Sequence, residues 1–168
     1  MRKHRHKAAI ALAALVSTLT GSAVASAEPA ADTATGRHAD LTAFARILAD
    51  QQAAWFAEDG AGFAATFWHD ADLVTFNGDH LSTRDGIATG MQYYFDNFMD
   101  PTHIRVLSEE VTFAGPNLAV IVRTSCLLIE PDAPCREDSE SANTNVMVKK
   151  WGRWLQQSFQ NTRKFAIG

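Results

Sequence analysis

The chain has 168 residues, 46% of them hydrophobic and 20% charged, and a net charge of −4 at neutral pH. Residues 1–27 hold four basic and no acidic side chains, so the remainder carries −8. A chain that acidic is a poor partner for nucleic acid or anionic lipid, and neither is expected; its length allows a single core.

Residues 1–27 read as a secretory signal peptide, with cleavage before Glu28. Arg2, Lys3, Arg5 and Lys7 form a cationic start, residues 8–19 are an apolar run, and Ala25-Ser26-Ala27 is a small-residue cleavage site. The apolar run is too short to span a bilayer comfortably. An uncleaved anchor is the alternative reading. The expectation is a protein secreted to the outside, with no membrane contact after cleavage. Residues 28–38 are small and polar and predict a disordered leader. The folded domain is expected over residues 39–165.

Asp40 can cap a first helix over 40–58, whose apolar face is Leu41, Phe44, Ala45, Leu48 and Trp55. Gly60 and Gly62 interrupt it. A short second helix is predicted over 61–68 and a strand over 70–76, stopped by Asn77-Gly78. Ser82 or Thr83 caps a third helix over 84–98, with Ile87, Met91, Tyr94, Phe95 and Phe98 on one face, and Asp100-Pro101 ends it. The rest reads as strands. Residues 104–113 shift their alternation at Ser108-Glu109-Glu110, as a bulge or bend would. Residues 118–129 form the longest apolar run and predict a central strand. Residues 130–143 read as a polar loop, and 146–151 with 154–162 as a hairpin across Gly152-Arg153. Helices followed by an antiparallel meander define an α+β class.

Cys126 and Cys135 are the only cysteines. They flank a stretch with two prolines, and in an oxidising compartment they are expected to form a disulfide. The alternative is a buried free Cys126 with an exposed Cys135.

Several segments together carry a resemblance: Trp55 with Asp59, Phe67 before Asp70-Ala71, Gly78 before Arg84-Asp85-Gly86, and Gly152-Arg153-Trp154 leading to Asn161-Thr162-Arg163. In these the chain resembles the nuclear transport factor 2-like superfamily, in its SnoaL-like branch, and within that the SgcJ/EcaC family. The resemblance implies a cone-shaped domain of three helices packed on a curved, mostly antiparallel sheet, commonly a homodimer through the sheet. It implies a cofactor-free protein holding a small apolar organic ligand. Relatives include ketosteroid isomerases, dehydratases, polyketide cyclases and non-catalytic binders. The oxidoreductase label sometimes attached to the SgcJ/EcaC group has no support in these residues, since no glycine-rich nucleotide fingerprint is present. An ungapped comparison puts Phe76 where the isomerases carry their basic carboxylate, and Gln51 where they carry their oxyanion tyrosine. Isomerase chemistry of that type is therefore not expected.

The candidate site follows from these readings. Trp55, Phe67, Phe76 and Tyr94 are the aromatic residues expected to line the pocket. Gln157 and Asn161 share a predicted strand face with Leu155 and Phe159, which places amides among apolar neighbours. Such amides need partners, either a ligand or neighbouring strands and water. His69 and Asp70 are the weak catalytic candidates, but adjacent strand residues point to opposite faces, and the alternative is a hydrogen-bonded Asp70 beside a solvated His69. His80 and His103 would bind metal only by converging with Asp70, Asp72 or Asp79, and no metal is expected. Arg123 either binds a ligand carboxylate or pairs with Glu109 or Glu110. The function expected is binding of a small, largely apolar molecule; any turnover is of lyase, isomerase or cyclase type. The alternatives are a non-catalytic sequestering protein and a dimeric association module.

Overall fold

A computed structural model describes residues 30–165. The expected signal peptide and cleavage site lie outside the described residues. The elements in chain order are α1 (Ala30–Phe56), α2 (Gly60–Ala64), β1 (Phe67–Val74), β2 (His80–Ser82), α3 (Arg84–Phe98), β3 (His103–Gly115), β4 (Leu118–Leu128), β5 (Ser141–Lys150) and β6 (Arg153–Arg163). The sheet order is β2-β1-β6-β5-β4-β3. All pairings are antiparallel except β1 with β6, which is parallel. The α+β class with three helices on a mostly antiparallel sheet is as expected.

The differences have local causes. α1 starts at Ala30, so residues 30–38 extend the helix instead of forming a disordered leader. Alanine favours the helix, and Arg37 anchors this extension by lying 4.7 Å from the centre of the Phe113 ring. β4 is not central; it lies between β5 and β3. Its apolar run reflects a buried inner face and a partly apolar outer face. β5 begins at Ser141, inside the expected loop. The β5–β6 turn falls on Trp151-Gly152, both at positive φ (51° and 78°), one residue before the expected place.

α3 has the bounds expected, and Thr83 caps it by accepting from the Gly86 amide at 3.2 Å. α2 lies close to α3 at Gly60. A Cβ there would stand 2.5 Å from the Ala88 carbonyl oxygen. The Gly60 amide instead donates to Gln92 Oε1 at 2.9 Å.

Two apolar clusters hold the layers together. One joins α2, α3 and β1 through Phe63, Phe67, Leu73, Ile87, Met91 and Phe95. The other seats α1 on the sheet through Phe44, Ala119, Ile121, Met147 and Trp154. Phe44 meets Trp154 edge-on, centroids 4.9 Å apart. Burying a side chain of that size contributes roughly 1.5–3 kcal/mol.

The second cluster stops where the inner face of the sheet turns polar. Along β4 the buried inner positions run Ala119, Ile121, Arg123, Ser125. Along β5 they run Met147, Asn145, Asn143, Ser141. One end of the sheet is therefore a dry core. The other has a polar floor that α1 spans without filling.

Candidate functional site

The unfilled end is a cavity of about 110 Å³. Leu48, Gln51 and Trp55 of α1 face it from one side, and Phe63, Met91, Tyr94 and Met99 come from α2, α3 and the residue after α3. The sheet supplies Leu73, Ile104, Arg123, Ser125, Ser141, Asn143, Phe159, Asn161 and Arg163. The cavity shares Trp55, Phe76, Tyr94, Met99, Leu127, Ser139 and Arg163 with an outer vestibule of about 480 Å³. Together the two chambers reach the range of small-molecule sites, roughly 300–1,000 Å³.

The polar floor is a row across four strands. Glu109 pairs with Arg123, Arg123 with Asn143, and Asn143 with Asn161. Arg123 is 5% exposed, and its Nε donates to Glu109 Oε2 at 2.5 Å. Asn143 Oδ1 accepts from Asn145 Nδ2 at 2.8 Å, and its Nδ2 donates to Ser125 Oγ at 3.3 Å. These bonds hold Asn143 in one orientation. Two cavity-lining atoms are buried without a hydrogen-bond partner: Gln51 Nε2 and Asn161 Oδ1. Buried polar atoms are nearly always paired; here a donor and an acceptor are left free in one cavity, and Asn145 Oδ1 and Gln156 Oε1 are left free in the packed interior.

The mouth is built on the turn after β1. Thr75 Oγ1 donates to Asn77 Oδ1 at 2.5 Å, and the Tyr94 hydroxyl donates to Asn77 Oδ1 at 3.0 Å and also to Asp79. The Arg163 guanidinium lies 4.6 Å from the centre of the Phe76 ring. The indole N–H of Trp55 donates to Thr102 Oγ1 at 3.0 Å, and its ring meets Phe95 edge-on.

Cys126 and Cys135 form a disulfide, with Cα atoms 5.6 Å apart. The expected bridge is thus present, and it fits an oxidising compartment. Cys126 lines the cavity, and the loop the bridge closes leads to Arg136, Glu137, Asp138 and Ser139 on the vestibule wall.

Of the residues expected from sequence, Trp55, Phe76, Tyr94 and Asn161 line the cavity. Phe67 does not. It is fully buried in the core, its ring between those of Phe63 and Phe159. Gln157 also lies elsewhere. Val146 pairs with Ser158 but Met147 pairs with Gln156, so Gln157 is the extra residue of a bulge. The bulge breaks the alternation that joined Gln157 to Asn161. Gln157 instead accepts from Lys150 Nζ at 2.9 Å and donates to the Asp70 carbonyl at 3.1 Å.

His69 and Asp70 are exposed and stand outside the cavity wall. The hydrogen bond from Lys150 holds the Asp70 carboxyl below the usual carboxylate range, against a smaller opposing effect of desolvation. His80 meets Asp72 at 2.8 Å on the exposed β1–β2 edge, while His103 stacks on Phe56 with centroids 4.2 Å apart. Among the described residues, no group of three His, Cys, Asp or Glu side chains is placed to hold a metal ion.

The reading from sequence missed Asn143, Ser125, Ser141 and Arg163 as lining residues. A signal was present for β5. Ser141, Asn143 and Asn145 alternate at the strand period of two, within a stretch whose polarity reads as loop. Gln51 stood only as a replacement for a tyrosine, and its place on the cavity wall depends on how α1 crosses the sheet.

No family model and no curated protein matches the chain. Solved structures do. A domain of unknown function with a cystatin-like fold from Nostoc punctiforme is 29% identical, over 77% of this chain and 80% of that one, with a TM-score of 0.69. LinA is 12% identical, over 79% and 91%, with a TM-score of 0.68. A putative scytalone dehydratase from Novosphingobium aromaticivorans is 13% identical, over 79% and 89%, with a TM-score of 0.59. The chain therefore has the cystatin-like fold, the α+β architecture also called nuclear transport factor 2-like.

Proposed function

We propose that this is a secreted, cofactor-free protein of the SnoaL-like, SgcJ/EcaC type that binds a small, largely apolar organic molecule in the cavity. The observation that carries the reading is the pair of free buried atoms, Gln51 Nε2 and Asn161 Oδ1, set in walls of aromatic and aliphatic side chains. Asn145 Oδ1 and Gln156 Oε1 are also buried without partners in the packed sheet interior, so the distinguishing feature of this pair is that both residues line one cavity. Secretion rests on the residues of the signal-like start and on the disulfide.

Native mass spectrometry of protein recovered from the medium should show a chain beginning at Glu28 with a small-molecule adduct that denaturation releases. A bare mass, together with no tryptophan fluorescence response to a panel of apolar aromatic compounds, would sink the reading.

Turnover is the second reading. The titratable pair at the neck between the chambers is Tyr94, whose hydroxyl is bonded to Asp79. Lyase, isomerase or cyclase chemistry would transfer a proton there, since no His, Asp or Glu is among the residues lining the inner cavity. The likeness in fold to LinA and to the putative dehydratase supports this reading. Asp79→Asn separates the two: loss of turnover with ligand binding kept would mark an enzyme.

A second copy of the chain is the proposed protein partner. The outer face of β4 and β5 presents Leu118, Val120, Val122 and Val146 as an apolar strip, with Leu118 and Val122 exposed.

A further inference from the structure

Resting on the pocket reading above, we infer that the ligand is an organic acid, with an apolar body against the aromatic walls and its carboxylate on Arg123.

A buried guanidinium must be paired or it is strongly unfavourable. Glu109 supplies only part of that pairing. Its side chain is 37% exposed, and it takes a single bond, from Nε. A guanidinium has five N–H donors in a planar fork. Among the described residues the terminal amino groups of Arg123 have no hydrogen-bond partner, and Arg123 lines the cavity. A largely buried fork whose free donors keep some surface open to the cavity complements a carboxylate, which it binds bidentately.

The lining of the inner cavity favours an anion as well. The two charged side chains lining the inner cavity are both arginines, Arg123 and Arg163, in a chain whose net charge is −4. The vestibule outside it is lined by Asp79, Asp100, Glu137 and Asp138 against Arg136 and Arg163, so the attraction for an anion is confined to the inner cavity; Asp79 is engaged by Tyr94. Gln51 Nε2 adds a second unpartnered donor from α1. The free acceptor, Asn161 Oδ1, suits a hydroxyl or amine on the ligand body.

The test is calorimetric titration of the disulfide-intact protein with matched pairs: benzoate against benzyl alcohol, and cinnamate against cinnamyl alcohol. Each acid should bind about tenfold or more tighter than its alcohol, the scale of a charge-assisted hydrogen bond. The preference should vanish in Arg123→Met and survive in part in Arg123→Lys. Glu109→Gln removes the competing carboxylate and should tighten the acids severalfold without changing the alcohols. Alcohols bound as tightly as acids, or an acid preference that survives in folded Arg123→Met, would overturn the inference and leave the pocket reading standing. Binding of neither acid nor alcohol would overturn both. Should Arg123→Met fail to fold, Glu109→Gln decides alone, and an unchanged acid affinity rejects the inference.

Discussion

Gln51 on α1 and Asn161 on β6 line the same cavity, and each presents a buried side-chain atom without a partner, Nε2 of one and Oδ1 of the other. A ligand hydroxyl satisfies either, whereas a ligand carbonyl can only accept and satisfies Gln51 Nε2 alone. Asn161→Leu should weaken a bound ligand by about 1–3 kcal/mol, the cost of a buried hydrogen bond. The melting temperature of the free protein should hold or rise, because an unpaired polar atom is removed. Unchanged affinity in calorimetry would place the ligand away from β6.

Asp70→Asn should leave ligand affinity unchanged. Asp70 is half exposed on β1, bonded to Lys150 and away from the cavity. If this variant remained folded and lost binding, the site would have to move to the outer side of β1, with His69 as its neighbour.

Cys126→Ala with Cys135→Ala should cost about 2–3 kcal/mol, the loop-closure entropy of a bridge nine residues apart. Chemical denaturation measures this directly. A thiol assay on denatured, unreduced native protein should find no free sulfhydryl; two titratable thiols would reject the bridge.

Acid should destabilise the α1–β6 contact through Asp40. Burial by itself would raise this carboxyl. Hydrogen bonds from Lys149 and Trp154, with the charges of Lys149 and Arg37, outweigh it and hold the group below the usual range. A folded-state value below the unfolded one, about 4, contributes stability that is fully present above the unfolded value. That contribution is lost as pH falls through the folded value. Asp40→Asn should therefore lose stability at neutral pH, by about 1–2 kcal/mol, and show a flatter stability profile below pH about 4. An unchanged profile would show that the contact does not titrate.

Val122→Lys should convert a dimer to a monomer in light scattering if the outer sheet face pairs two chains. Val122 is 45% exposed, with Thr144 and Glu110 opposite it on the flanking strands. A species of unchanged mass would move any interface off this face.

Much of the architecture was legible because it rests on local rules. The cap at Thr83 and the apolar period through Phe98 set α3 to the residue, and Asp100-Pro101 ended it. The shift in alternation around Ser108 marked a real irregularity, since β3 slips against β4 between Val106 and Ser108. Cysteine spacing and the intervening prolines pointed to the bridge. Trp55, Tyr94 and Asn161 carried enough local pattern to be placed on inward faces.

The rest was decided by contacts between distant segments. Whether Gln156 or Gln157 faces inward depends on one extra residue against Val146 and Met147, and no alternation within β6 records it. Whether Phe67 lines the cavity or fills the core depends on Phe63 and Phe159 closing over it. The row Glu109, Arg123, Asn143 and Asn161 draws one residue from each of four strands, so it exists only once their registers are set. Sequence determined which segments could be helix or strand, because capping, period and turn chemistry act over a few residues. Tertiary structure alone decided which polar groups meet around the cavity, because register and burial are properties of paired strands and not of either strand alone.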